Sequence, residues 1–195
     1  PARAPQTMTF ARPSLDILRL ARNLSAMETI LVTGANRGIG LELVRQLSAA
    51  GHNAIGTYRD PARSAELIAL AKDKANVSAI EGDVATETGR AAIAEALTTS
   101  HGQLDWLIHN AGVAHWGPLA EETEARMMEV FRVNVVAPVL LTRALLPLLR
   151  KGTHPRIWVI SSKMGSLTAA PELSGPHYAY PVSKAAVNMA GEIGR

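Results

Sequence analysis

The amino-acid sequence predicts a doubly wound α/β domain, in which helices cover both faces of a parallel sheet. From residue 29 onward, short β-branched runs alternate with longer amphipathic runs, and a glycine-rich turn follows the first short run. Strands separated by helices of this length form right-handed βαβ units, whose strands are parallel. The chain has 195 residues, of which 47% are hydrophobic, so it suits one buried core and is too apolar to be disordered.

Five strands and six helices are expected in chain order. Each strand candidate is a short apolar run between turn residues, and each helix candidate repeats apolar residues every three or four positions. The strands are expected at 29–33, 53–58, 77–81, 104–109 and 156–162. The helices are expected at 39–50, 63–74, 87–99, 121–136, 139–150 and 179–192.

The charge distribution argues against a nucleic-acid partner. The chain carries 20 basic and 17 acidic side chains, a formal net charge of +3. The excess lies in the first 26 residues, which contain Arg3, Arg12, Arg19 and Arg22 but only Asp16 as an acid. Beyond them the two signs balance, so the domain lacks the basic surface that a polyanion needs.

Cysteine content and hydropathy exclude further classes of protein. Because the chain has no cysteine, it forms no disulfide, uses no thiol catalysis and holds no cysteine-ligated metal, which fits a cytoplasmic location. Charged residues or prolines interrupt the apolar stretches before the roughly 18 residues that a membrane span requires, so no membrane partner is expected. No close histidine pair stands at metal-ligand spacing, and no catalytic metal is predicted.

Residues 1–26 are predicted to be an N-terminal extension ahead of a catalytic domain at 27–195. Apolar residues recur at every third position from 15 to 24, so the extension is expected to be disordered or a short amphipathic helix. An arginine-rich, acid-poor composition is typical of an organelle import signal. The other interpretation is upstream or cloning-derived sequence ahead of a natural start at Met27.

A glycine-rich segment, Thr33-Gly34-Ala35-Asn36-Arg37-Gly38-Ile39-Gly40, joins the first strand to the first helix. Glycines at such a turn let the backbone approach a pyrophosphate, and the helix N-terminus offers free N–H groups and a positive dipole end. The segment therefore predicts a dinucleotide-binding, Rossmann-type fold, with a plain turn as the alternative. Its spacing is G-x-x-x-G-x-G rather than the commoner G-x-G-x-x-G. The expected cofactor contacts here are Gly34, Asn36, Arg37, Gly38, Ile39 and Gly40.

This spacing resembles that of the short-chain dehydrogenase/reductase family, and further family motifs follow in order along residues 28–195. One of them departs from the family pattern, because His109 stands where the family has asparagine. A long insert at 163–179, between the serine and tyrosine motifs, looks like the loop of the C-factor-like and carbonyl-reductase-like branch. The motifs are Gly82-Asp83-Val84, His109-Asn110-Ala111-Gly112, Val133-Asn134-Val135, Ser161-Ser162 and Tyr180-Pro181-Val182-Ser183-Lys184.

The resemblance implies roles for these residues. Tyr180 is expected to donate a proton to the substrate carbonyl as hydride arrives from the nicotinamide, and Lys184 to tune Tyr180 and hold the nicotinamide ribose. Ser162 is expected to hydrogen-bond the substrate oxygen, and Asn134 to hold a water that leads protons to Lys184. The remaining cofactor contacts implied are Asp83, Val84, Asn110, Ala111 and Gly112, together with Tyr180 and Lys184.

A tyrosine four residues before a lysine can arise by chance, and the position of Tyr180 and Lys184 after the glycine loop and the serine-ended fifth strand is what supports this chemistry. Residues four apart share one face of a helix, and an ammonium group beside a phenol favours the phenolate. Tyr178 is the competing tyrosine, but its fourth neighbour is a valine. Ser161 and Ser162 point to opposite faces of their strand, and the family pattern favours Ser162.

The end of the second strand predicts the cofactor. In dinucleotide folds an acidic residue there binds the ribose 2′-hydroxyl, whereas a basic residue accommodates a 2′-phosphate. By family alignment the acid would fall at Tyr58, which Arg59 follows, and Arg37 lies in the glycine loop. Two arginines favour NADP(H) over NAD(H), because guanidinium groups bind phosphate in a bidentate manner. Asp60 either reaches the ribose or caps the following helix.

The expected partner is a small carbonyl or alcohol substrate. His115, Trp116 and His177 are candidates to line its cleft, with a plain surface or packing role as the alternative. The apolar helix at 139–150 is either buried against the sheet or pairs with the Tyr180 helix across a homodimer or homotetramer interface, as it commonly does in the family.

The chain stops at Arg195, whereas family members continue with a further strand, a substrate-binding loop and helix, and a last strand. The expected sheet therefore lacks its last strands, and the strand at 156–162 is an exposed edge. The favoured hypothesis is an NADP(H)-dependent carbonyl reductase or alcohol dehydrogenase. The alternative is a catalytically silent dinucleotide-binding or signalling module.

Overall fold

The computed structural model describes residues 27–168 and 178–193, so the predictions for residues 1–26 and for His177 lie outside the described residues. The described chain forms a five-stranded sheet in which every pair of neighbours is parallel, in the order β3-β2-β1-β4-β5. Helices cover both faces, as predicted. The strands are β1 Thr29–Val32, β2 Asn53–Tyr58, β3 Val77–Glu81, β4 Trp106–His109 and β5 Arg156–Val159.

The helices occur close to the predicted positions, with short 3-10 turns at Pro61–Arg63, Leu119–Glu121 and Lys163–Gly165. One prediction is wrong: the two helices expected at 121–136 and 139–150 form one continuous run. A π-helical turn, Arg132–Val136, joins its two halves. The helices are α1 Gly38–Ala49, α2 Ala65–Asp73, α3 Glu87–Ser100, α4 Glu124–Phe131, α5 Ala137–Leu149 and α6 Ala179–Ile193.

Pro138 explains both the wrong prediction and the π turn. A proline inside a helix lacks an N–H group, and its ring clashes with the carbonyl four residues earlier, which here belongs to Asn134. The helix accommodates the ring by placing Pro138 in the first turn of α5 and widening the turn before it, where the Ala137 N–H bonds the carbonyl of Arg132. π turns inside helices often mark functional sites.

The hydrophobic core has two parts, one on each face of the sheet, and successive residues of a strand pack on opposite faces. Ile30 and Val32 of β1 pack under α1 and α2, whereas Leu31 between them packs under α3 and α5. β4 repeats the pattern with Trp106 and Leu107. Because both faces are covered, the central strands are continuously apolar instead of alternating with polar residues.

The run Glu124–Leu149 has 26 residues and is long and apolar enough to cross a membrane by length and composition. Burial inside the protein explains this composition. Leu141, Leu145, Leu148 and Leu149 pack on the sheet and on α3.

Apolar side chains nevertheless remain exposed on the outer side of this run and on α6. Val136, Val139, Val182 and Met189 are between 44% and 62% exposed. α5 is therefore apolar on its buried side and also on part of its exposed side. A homodimer or homotetramer interface at the exposed side stays a prediction.

A buried acidic pair lies at the amino end of β1. Glu28 is 1% exposed, and neither of its carboxylate oxygens has a hydrogen-bond partner. The carboxylate of Asp105 is satisfied by the N–H groups of Thr29, at 2.8 Å, and Thr153, at 2.7 Å. Burial, and secondly the charge of Asp105, raise the pKa of Glu28 above its ordinary value of 4.5, while His154, with Nδ1 3.6 Å from the carboxylate, partly opposes them.

The raised pKa makes the folded state less stable as pH increases. The unfolded carboxyl ionises near its ordinary pKa, whereas the folded protein resists ionisation until its higher pKa is passed, and stability is lost between the two values. We expect Glu28→Gln to raise the Tm at pH 8 by at least about 2 °C and to leave the Tm at pH 4 nearly unchanged. Thermal unfolding across this pH range is the measurement. Glu95→Gln, an exposed change on α3, is the control, and equal pH profiles for the two variants would contradict the assignment.

Candidate active site

A cleft opens at the carboxyl edge of the sheet, where the chain order reverses between β1 and β4. This is the crevice in which doubly wound proteins bind ligands. Its volume is about 550 Å³, within the range of cofactor sites. The structure brings to it most of the predicted cofactor contacts, namely Gly34, Asn36, Arg37, Gly38, Ile39, Arg59, Asp83, Val84, Asn110, Ala111 and Gly112.

The glycines of the loop after β1 are required by its geometry. Gly34 and Gly38 have φ angles of 62° and 57°, a left-handed conformation that side chains disfavour. Gly40 is required for close packing, because a Cβ there would lie 2.5 Å from Asn110 Nδ2 and 2.6 Å from the Gly34 oxygen. No side chain caps the N-terminus of α1, so its first N–H groups remain available to an anion.

Two threonines that the sequence analysis did not single out hold this loop. The Thr33 hydroxyl accepts the N–H groups of Asn110 and Ala111, both at 3.1 Å, and the Thr57 hydroxyl accepts the N–H of Gly34 at 3.2 Å. The Asn110 amide donates to the carbonyls of Thr33, at 2.9 Å, and Gly34, at 3.0 Å. Their position at the carboxyl ends of β1 and β2 is the signal that would have identified these threonines.

Three arginines surround the far end of the cleft, at the carboxyl end of β2. Arg37 and Arg59 are the predicted pair, and Arg63 is a third that the sequence analysis did not select. The Arg63 carbonyl accepts the Asn36 amide at 3.1 Å, which links its turn to the glycine loop. Asp60 caps the 3-10 turn by accepting the Ala62 N–H at 3.0 Å and also lines the cleft, so a ribose contact stays a prediction.

Tyr180 and Lys184 lie in the first turns of α6, on one face as predicted. The Lys184 Nζ is 5.6 Å from the centre of the Tyr180 ring and donates to the Ile160 carbonyl at 2.7 Å. Lys184 is 5% exposed, and this burial lowers its pKa to about 8. The cleft reaches these groups through Gly112, because a Cβ on Gly112 would lie 3.9 Å from the Lys184 Nζ.

Asn134 lies in the π turn and is buried. Its Oδ1 accepts the Val113 N–H at 2.9 Å, and its Nδ2 donates to the Val113 carbonyl at 2.9 Å and to the Ser183 hydroxyl at 3.0 Å. Both protons of the amide are thus used. A water bound by Asn134 would therefore donate a hydrogen bond to the side-chain Oδ1 or to the main-chain carbonyl. That carbonyl receives no hydrogen bond from Pro138, which has no N–H.

Ser161 and Ser162 make different contacts. The Ser161 hydroxyl donates to the Asn188 side chain on α6 at 2.6 Å. The Ser162 hydroxyl accepts the Met164 N–H at 3.2 Å, so its own proton remains available to another acceptor. The turn that begins here packs tightly on Lys184, since a Cβ on Gly165 would lie 2.8 Å from the Lys184 Cβ.

His109 is a buried structural residue. Its Nε2 lies 2.9 Å from the Thr142 hydroxyl, and burial lowers its pKa to about 3, so the ring is neutral at physiological pH. Among residues 27–168 and 178–193, no group of three or more histidine or acidic side chains is arranged to hold a metal ion.

The two cleft candidates within the described residues lie near Tyr180. The Trp116 and Tyr180 rings are 6.4 Å apart with an interplanar angle of 37°. His115 precedes this tryptophan, and its Nε2 lies 2.8 Å from the Glu129 carboxylate on α4.

A family model described as short chain dehydrogenase matches residues 28–192. The chain belongs to the short-chain dehydrogenase family. It is 32% identical over 160 residues to (+)-neomenthol dehydrogenase of Arabidopsis thaliana, covering 70% of this chain and 54% of that protein. It is 44% identical over 90 residues to the C-signal protein of Myxococcus xanthus, covering 46% of this chain and 53% of that one. The chain spans about half to two thirds of the length of such relatives.

Solved structures of family members share the fold. The NADPH-bound carbonyl reductase from chicken fatty liver is 36% identical, with a TM-score of 0.78, over 84% of this chain and 71% of its own. The NADP complex of RhlG from Pseudomonas aeruginosa is 30% identical, with a TM-score of 0.77, over 85% of this chain and 65% of its own. The described sheet lacks the later strands of these longer family members.

Proposed function

We propose that this member of the family is an NADP(H)-dependent reductase that interconverts a carbonyl compound and its alcohol. The observation that carries the proposal is the pairing of the Tyr180 phenol with the buried Lys184 ammonium. The Lys184 Nζ lies close to Gly112, which lines a cleft whose far end carries three arginines. A phosphate-binding end and a proton-donating end in one cleft suit a phosphorylated dinucleotide and a carbonyl substrate.

The residues of the cleft fit a nicotinamide dinucleotide. The open backbone at Gly38, where a Cβ would meet nothing within 4 Å, and the uncapped N-terminus of α1 suit a pyrophosphate. Arg37 and Arg59 suit a 2′-phosphate, and Asp83 suits the adenine ring. When bound, the nicotinamide supplies or accepts the hydride.

Proton transfer is assigned to Tyr180. In carbonyl reduction its hydroxyl donates a hydrogen bond to the substrate oxygen and then transfers the proton, which leaves a phenolate. The Lys184 ammonium stabilises that phenolate electrostatically. The Ile160 carbonyl fixes the position of the Lys184 Nζ, so the charge does not need to reorganise during the reaction.

Ser162 and Asn134 complete the site. With its oxygen already accepting the Met164 N–H, the Ser162 hydroxyl donates a hydrogen bond to the substrate oxygen and holds that oxygen near Tyr180, without transferring its proton. Asn134 holds the Val113 backbone beside Gly112, and a water bound at its Oδ1 or carbonyl returns protons towards Lys184.

A fluorescence titration with NADPH, and with NADH in parallel, tests the cofactor assignment. We expect tighter binding of NADPH, and we expect the double variant Arg37→Ala with Arg59→Ala to weaken NADPH binding by about 10²- to 10⁴-fold, because each of the two lost charge-assisted hydrogen bonds costs about 1.5–3 kcal/mol. NADH binding should change little. Arg143→Ala, an exposed change on α5, is the control, and equal losses for both cofactors would contradict the role of the arginines.

A second candidate function is cofactor binding without turnover. The similarity to the C-signal protein, 44% identical over 90 residues, favours it, because the name of that relative describes a signal. Saturable NADPH binding without reduction of any compound in a panel of ketones and aldehydes would favour this candidate over the reductase.

A further inference from the structure

The segment that follows Gly112 places one large aromatic side chain beside Tyr180. Trp116 is 62% exposed, although its ring lies 6.4 Å from that of Tyr180. The other two tryptophans of the chain, Trp106 and Trp158, are buried and contact each other. Trp116 thus differs from them in combining an exposed indole with a position beside the proposed proton donor.

The same helical run anchors this segment at two points. At one end, the Asn134 amide holds both the N–H and the carbonyl of Val113. At the other, the Glu129 carboxylate holds His115 at 2.8 Å, directly before Trp116. Both anchors lie just before Trp116 in the chain and restrict the backbone that leads to the indole, so binding a ligand against it requires little further ordering.

We infer that Trp116 is a specificity residue that selects carbonyl compounds with an aromatic ring next to the carbonyl group, an inference that rests on the proposed function. The exposed indole lies next to the Tyr180 ring, whose hydroxyl is the proposed proton donor. An aryl group gains an offset or tilted ring contact there, worth about 0.5–1.5 kcal/mol beyond the burial of its area. A saturated ring of the same size gains only the free energy of burying its apolar surface. Glu129 acts as a positioning residue, through His115.

Two ketones of equal skeleton and different ring chemistry test the inference, namely acetophenone and cyclohexyl methyl ketone. We expect the wild-type protein to favour acetophenone and Trp116→Leu to raise its KM by about fivefold to tenfold, with kcat unchanged. The KM for cyclohexyl methyl ketone should change by less than about twofold. Trp116→Phe keeps an aromatic face and should retain most of the preference. If Trp116→Leu raises both KM values equally, or the wild type shows no preference, the inference is wrong.

The anchor is tested separately. Glu129→Ala should reduce the preference for acetophenone without lowering the Tm, because the Glu129 side chain is 53% exposed and its ion pair is with the partly exposed His115. Glu124→Ala, at the start of the same helix, is the matched control and should leave the preference intact. If Glu129→Ala keeps the wild-type preference for acetophenone, Glu129 is not a positioning residue.

A binding experiment separates this inference from the proposed function. Each ketone is titrated against the protein with NADP⁺, which cannot reduce it, while the heat of binding is recorded, a readout that does not depend on Trp116 itself. If the wild type turns over neither ketone, the proposed function is wrong for this chain. The inference then stands if acetophenone binds more tightly than its saturated analogue and Trp116→Leu abolishes the difference. It falls if the two ketones bind equally.

Discussion

Tyr180→Phe is expected to lower kcat/KM for carbonyl reduction by about 10²- to 10⁴-fold, the range of general acid catalysis. The change removes one oxygen and with it the proton donor. The ring remains, so its contacts with Trp116 and with the Lys184 ammonium persist. Binding of NADPH should therefore change little. Steady-state kinetics together with a cofactor titration measure the two effects.

Tyr178→Phe is the matched control for this experiment. It makes the same chemical change two residues earlier, at a side chain that is 43% exposed and has no lysine four positions later. It should keep nearly full activity. A Tyr180→Phe variant within tenfold of the wild type, or a Tyr178→Phe variant as impaired as it, would show that Tyr180 is not the proton donor.

Asn134→Ala is expected to lower both stability and activity. The change leaves the Val113 N–H and carbonyl and the Ser183 hydroxyl without their buried partner. With about 1 kcal/mol for each hydrogen bond, the loss is about 3 kcal/mol, which corresponds to a fall in Tm of about 6–12 °C for a chain of this size. Because Val113 also positions the backbone beside Gly112, kcat/KM should fall by about 100-fold.

Asn76→Ala separates the two effects of that change. The Asn76 amide also makes three hydrogen bonds, to the Ser48 hydroxyl, the Ser48 carbonyl and the His52 carbonyl, each at 2.9 Å. It lies at the opposite, amino end of the sheet, beside the start of β3. We expect a similar fall in Tm with little loss of activity at a temperature where both variants are folded. Equal activity losses would mean that Asn134 acts only through stability.

Local sequence patterns predicted the strands well, because the apolar run that indicates a strand lies within the few residues that form it. β2 and β3 begin and end at the predicted residues, since Asn53 and Asn76 bound short apolar runs. The predicted helix break near residue 137 was wrong because the intrinsic preference of Pro138 against helix was overridden. A π turn accommodates the proline, and the packing of Leu141 and Leu145 on the sheet keeps the helical run Glu124–Leu149 continuous.

The residues of the candidate site also fall into two groups, those that the sequence identified and those that only the structure revealed. The glycine loop, the Tyr180–Lys184 pair and the arginine after β2 were visible because each motif is a few residues long and its spacing alone limits its geometry. Thr33 and Thr57 were missed because each acts through a partner on another strand. Arg63 was missed because the 3-10 turn capped by Asp60 carries it back to the cleft.

Apart from the run Glu124–Leu149, local sequence thus determines which elements form and which chemical groups each one carries, because helical and strand periodicity depend on neighbours within a few positions. The fold alone decides which distant groups meet. It buries Lys184 and lowers its pKa, brings Glu28 beside Asp105 across 77 positions of sequence, and sets Trp116 against Tyr180. Burial and electrostatic coupling depend on distances in space, and those distances exist only after the sheet has assembled.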